Sequence, residues 1–143
     1  MTSSMTIPLW VLLGFAGWTL AVLMGSIGVY RWSRILTGRA TMAGWRADAR
    51  QESEWYQRAT RAHMNCVENL PIYGAVALAA AVAGVGGRDF DALALTFLAA
   101  RIGQSLVHIT RPQTEPVAAL RFGLYFVQVV CVVSMGALVA LRA

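Results

Sequence analysis

IPLWVLLGFAGWTLAVLMGSIGVY, running from Ile7 to Tyr30, contains no charged side chain. A helix rises about 1.5 Å per residue, so this stretch is long enough to cross a hydrocarbon core of roughly 30 Å. It exceeds the h-region of a signal peptide, usually about 7–15 residues, and no basic n-region precedes it. It reads as a first transmembrane helix. Three more apolar runs follow. Asn69 to Gly87 is the second, in a helix that starts earlier, near Trp55 or Tyr56. Ala92 to Thr110 is the third, interrupted by Arg101, and Phe122 to Leu141 is the fourth. Runs rich in Leu, Val and Ala are unlike β-barrel strands, which alternate and are shorter. Helices are expected over roughly 7–36, 55–84, 90–111 and 116–141, within one domain covering the whole chain. The fold class is an all-α, integral membrane four-helix bundle.

Composition agrees. Hydrophobic residues make up 57% of the 143 residues and charged ones 13%. A soluble domain has roughly twice that charge, and one this small could not bury so much apolar surface. Disorder, collagen-like repeats and a disulfide scaffold are excluded on the same figures. The net charge of +5 comes from Arg alone, since there is no Lys. Arg31, Arg34, Arg39, Arg46, Arg50, Arg58 and Arg61 fall in one stretch beside apolar segments. That placement suits lipid headgroups rather than nucleic acid. Because the first and third connections carry most of the Arg, both are expected in the cytoplasm. The termini are then outside, and an inner bacterial membrane fits. Cys66 and Cys131 give no disulfide framework and are expected to be buried thiols.

Turn chemistry marks the connections. Thr37 to Ser53 is polar. Gly84-Val85-Gly86-Gly87-Arg88-Asp89 reads as a tight turn with Asp89 capping the third helix. Arg111-Pro112 stops that helix, and Thr114-Glu115-Pro116 starts the fourth.

Polar residues inside the spans are costly unless partnered, and so mark sites. Arg58, Arg61, Asn65 and Glu68 are spaced three and four apart on one helical face. Arg101, Gln104 and His108 share a second face, and Arg121, Tyr125 and Gln128 a third. Headgroup anchoring accounts for Arg58 but not for Glu68, which lies deeper. Convergence of the three stripes predicts a shared polar site near the cytoplasmic side. Guanidinium groups pair with carboxylates, and a carboxylate holds an ammonium. The complement is a small zwitterion with more than one carboxylate. Glutathione fits, as do parts of dicarboxylic amino acids and phosphate esters.

At Arg58-Ala-Thr-Arg61-Ala-His63-Met-Asn65-Cys66-Val-Glu68-Asn69-Leu70-Pro71 the chain resembles the MAPEG family, the membrane-associated proteins in eicosanoid and glutathione metabolism. Every fixed position of that family's Arg-x-x-Arg-Ala-x-x-Asn-x-x-Glu-x-x-Pro pattern is present. The resemblance extends over four spans, a basic first loop, an Arg in the third helix and one opening the fourth. It implies a homotrimer with glutathione between subunits at the cytoplasmic side, and a transferase or peroxidase acting in detoxification. Arg61, Asn65 and Glu68 match glutathione-binding positions. Arg101, Gln104 and His108 form the third-helix side of the expected site. Arg121 matches the Arg beside the glutathione sulfur, and Tyr125 a tyrosine one turn on, so these two are the catalytic candidates. A first-helix Arg also contributes in the family, a role open to Arg34 or Arg39. Gln104 and His108 stand where the leukotriene synthase has tyrosines. Phe122 replaces a serine of the prostaglandin synthase, so eicosanoid synthesis is not supported.

The implied mechanism is thiolate activation. A guanidinium beside a thiol favours its ionised, nucleophilic form. A lipophilic small molecule would reach it from the bilayer. The alternative is a non-catalytic glutathione- or lipid-binding relative that keeps the fold. A bis-His haem on His63 and His108 is a weaker rival, as is an exporter, because the first helix has no acidic residue.

Overall fold

The protein is described from a computed structural model covering residues 5–45 and 53–143. Arg46 and Arg50 of the first connection lie outside the described residues. Four helical rods are long and apolar enough to cross a membrane: Ile7–Leu36, Glu54–Ala83, Arg88–Thr110 and Glu115–Arg142. No strand occurs among the described residues. The first rod is α1 (Ile7–Val22), a π-helical turn (Leu23–Gly28) and α2 (Val29–Leu36). The others are α3 (Glu54–Ala83), α4 (Arg88–Thr110) and α5 (Glu115–Arg142). A short 3-10 turn, Met42–Gly44, follows α2. Within the π turn the Ser26 hydroxyl donates to the Val22 carbonyl. Such a bond competes with the regular ladder, and two glycines in the turn (Gly25, Gly28) ease the wider backbone.

Local chemistry sets the ends. Ser53 Oγ accepts from the Tyr56 backbone N–H at 3.3 Å and starts α3. Gly84, at φ 67°, takes the left-handed conformation that ends it, with Val85 N–H bonded to the Ala80 carbonyl at 2.9 Å. Arg111 is extended ahead of Pro112, as a residue preceding proline must be, and α4 stops at Thr110. Thr114 precedes α5, with Pro116 in the first turn. The expected cap of α4 is corrected. Gly87 occupies that position, at φ 130°, and Asp89 lies inside the first turn. The Asp89 carboxylate instead pairs with the Arg142 guanidinium at the far end of α5.

Large apolar side chains point outward all along the rods, among them Trp10, Leu20, Val82 and Val133. In lipid this costs nothing, and helix contact rests on close packing rather than on burial from water. Accordingly the buried faces are rich in small residues: Ala59, Ala62, Ala77, Ala80, Ala94 and Ala100. Phe15, Tyr73 and Phe97 form the aromatic centre, with Tyr73 stacked on Phe97 at 4.6 Å. The Tyr73 hydroxyl donates to the Pro8 carbonyl at 3.0 Å, so it is not left unpaired. Cys66 and Cys131 are buried free thiols.

The ends of α2 and α4 and the starts of α3 and α5 share one end of the bundle, where the Arg residues gather. There Arg31 Nε donates to the Tyr56 hydroxyl at 2.8 Å, and its guanidinium lies 5.2 Å from the Trp45 ring centre. Of the four spans α4 is the most buried and α5 the least. Helix α4 packs against both α3 and α5. That arrangement brings three polar stripes together.

Candidate functional site

A cleft of about 520 Å³ lies at the Arg-rich end, walled by α3, α4 and α5. Helix α3 contributes Arg61, Asn65, Glu68 and Asn69. These recur at helical spacing, so one face supplies all four. Helix α4 contributes Gln104 and His108; α5 contributes Ala118, Arg121, Phe122 and Tyr125. Seven of the ten residues expected at the site therefore border one cavity: Arg61, Asn65, Glu68, Gln104, His108, Arg121 and Tyr125.

The walls are tied together by neutral hydrogen bonds. Asn65 Nδ2 and His108 Nε2 are 3.2 Å apart and join α3 to α4. Gln104 Nε2 donates to the Arg121 carbonyl at 3.1 Å and joins α4 to α5. The charged groups are less engaged. Arg61 reaches Gln113 Oε1 at 3.4 Å, and among the described residues Glu68 makes no ion pair within 4.0 Å. Two guanidinium groups and one carboxylate thus face the cleft uncancelled by each other. A ligand bearing carboxylates and an ammonium matches that set. On the bilayer side, Phe122 and Phe126 of α5 are exposed apolar neighbours.

Three expected residues stand elsewhere. The Arg34 guanidinium lies 5.6 Å from the Tyr30 ring centre, and Arg39 is exposed beyond α2. Neither borders this subunit's cleft. Arg101 is 1% exposed and sits behind the wall, with its guanidinium 5.9 Å from the Phe15 ring centre. Its Nε and Nη2 have no hydrogen-bond partner among the described residues. His63 does not line the cleft, and His108 Nε2 is already engaged by Asn65. Of the lining residues not expected at the site, Asn69 was detectable one turn beyond Asn65, to whose carbonyl it donates at 2.8 Å. Gln113, which accepts from Arg61 but does not line the cleft, had no such signal, since it sits in a connection with no periodicity.

The MAPEG family model matches residues 6–141, nearly the whole chain. No curated protein and no solved structure matches it.

Proposed function

The chain belongs to the MAPEG family, and on that premise we propose that it is a membrane glutathione transferase, with peroxidase chemistry open to the same site. Membership places it among integral membrane proteins of glutathione-related function in general. The finer reading rests above all on one observation. Arg61, Asn65 and Glu68 from α3, His108 from α4, and Arg121 and Tyr125 from α5 border a single cleft.

In this reading Arg61 and Asn65 hold a glutathione carboxylate and Glu68 holds its ammonium, by charge-assisted bonds. Arg121 stands by the sulfur. A free thiol has a pKa of about 8.5 and is mostly protonated at neutral pH, whereas a neighbouring guanidinium favours the thiolate. Tyr125, one turn along α5, donates a hydrogen bond to the same sulfur. The lipophilic electrophile arrives from the bilayer past Phe122 and Phe126. The thiolate attacks its electrophilic carbon, and the leaving group departs with the bonding pair.

A homotrimer is part of the proposal. The cleft lies on the flank of the least buried helix, and no first-span Arg reaches it within one subunit. Arg34 or Arg39 would be brought by an adjacent subunit, as the family's use of a first-helix Arg implies. The site faces the cytoplasm of a bacterial inner membrane, in line with the Arg-rich ends.

The test is conjugation of glutathione to a lipophilic electrophile by purified protein, together with calorimetric binding. Saturable binding with turnover supports the transferase. Binding without turnover for any of several electrophiles would leave the non-catalytic binding protein as the reading.

A further inference from the structure

Gln128 lies on α5 two turns beyond Arg121, is 1% exposed, and borders no part of the cleft. Burying an amide is costly unless its groups are paired. Its Nε2 makes two donations, to Gln104 Oε1 at 3.1 Å and to the Leu124 carbonyl at 2.9 Å, while its Oε1 is buried without a partner among the described residues. Gln104 passes the connection on, its own Nε2 reaching the Arg121 carbonyl at 3.1 Å. The direction of this chain is fixed by chemistry. Turning the Gln104 amide over would set its oxygen against a carbonyl oxygen and its NH₂ against another NH₂. On the side chain, Arg121 Nε is buried with no hydrogen-bond partner among the described residues, so α4 holds this residue through its carbonyl.

We propose that the amide relay from Gln128 through Gln104 to the Arg121 carbonyl sets the aim of Arg121. Gln104 and Gln128 are then positioning residues for the thiolate-stabilising guanidinium. The inference rests on the role proposed for Arg121. It changes the role of Gln104, whose amide serves α5 rather than glutathione. It also accounts for an amide buried at Gln128, outside the cleft. Interhelical side-chain bonds in membranes add little stability, so the relay's effect is on aim more than on folding.

The experiment compares the parent with Gln128→Met, Gln104→Leu, the double variant and Arg121→Leu. Methionine keeps the length of the Gln128 side chain and removes both donors. Glutathione affinity, thiolate absorbance of the bound ligand and conjugation rate against pH are measured for each. Gln128→Met should keep affinity within about threefold while losing about tenfold or more in turnover at pH 7, since small misplacements cost rate. The deficit should shrink as the pH approaches about 8.5, where the thiol ionises unaided. The double variant should be no worse than Gln104→Leu alone, as expected of one connected chain. Should Gln128→Met fail to assemble, Gln104→Leu breaks the relay at its middle and carries the same expectations. The relay is overturned if Arg121→Leu is impaired while Gln128→Met keeps the parent's turnover and pH profile. It is also overturned if Gln128→Met loses affinity and turnover in equal measure. A parent-like Arg121→Leu would overturn the role of Arg121 itself, and the relay with it.

Discussion

Arg121 and the α3 trio divide the labour of the proposed site, and the two halves are separable by measurement. Glu68→Gln and Arg61→Ala should each weaken glutathione binding on the order of tenfold or more, the loss expected for a charge-assisted bond. Calorimetry showing parent-like affinity for both would put the ligand elsewhere. Arg121→Leu should act on turnover instead. At pH 7 its rate should fall far more than its affinity, because the lost contact is with the reacting thiolate. Its rate should then climb between pH 7 and about 8.5, where bulk ionisation replaces the missing cation, while the parent's stays flatter. Much of this site was legible at the residue scale. Arg61, Asn65 and Glu68 sit at helical spacing, so the sequence already put them on one face, and all three border the cleft. Arg101 was not placed by the same reasoning. It shares a stripe with Gln104 and His108, yet its guanidinium turns under the Phe15 ring. Periodicity names a face and says nothing of how deep a long side chain reaches. The hold of Gln104 on Arg121 was equally invisible, since it joins side chain to backbone across helices.

Helix ends show where local signals suffice and where they fail. Thr114 and Pro116 mark the start of α5, and Arg111-Pro112 the stop of α4, because capping and proline sterics act over a few residues. Asp89 carried the same local signal and did not cap. Its partner is Arg142, at the other end of the next helix, a contact no window on the sequence contains. The π turn at Leu23–Gly28 was also hidden, since an apolar run with glycines suits a regular helix equally well. The junction of α2 and α3 offers an element-scale prediction. Tyr56 is buried and accepts from Arg31 Nε at 2.8 Å. Tyr56→Phe removes that acceptor, at a cost of about 0.6–1.7 kcal/mol for an interhelical side-chain bond in a membrane bundle. The variant should melt measurably below the parent in detergent, with glutathione affinity of the folded protein retained. An unchanged melting midpoint would mean that packing of the Tyr56 ring against Tyr30 and Trp45, at 4.7 and 5.9 Å between ring centres, holds this junction alone.

At the scale of the whole molecule, composition was the most informative reading. Four apolar rods and a low share of charge leave only a membrane bundle. Side and stoichiometry are less directly written, because both depend on surroundings outside one chain. Orientation is tested with Met42→Cys, an exposed position beyond α2 against two buried native thiols. An impermeant thiol reagent should label it only after the cells are opened, and labelling of intact cells would reverse the topology. In mild detergent, native mass spectrometry should show trimers that bind glutathione. Monomers with full affinity would place the whole site within one subunit. Whether Arg121 holds glutathione as its thiolate is read most directly from the ultraviolet difference spectrum on adding glutathione to purified protein at pH 7. A saturable thiolate signal should appear in the parent and be lost in Arg121→Leu while binding persists. Glutathione bound only as the protonated thiol in the parent would contradict that role of Arg121.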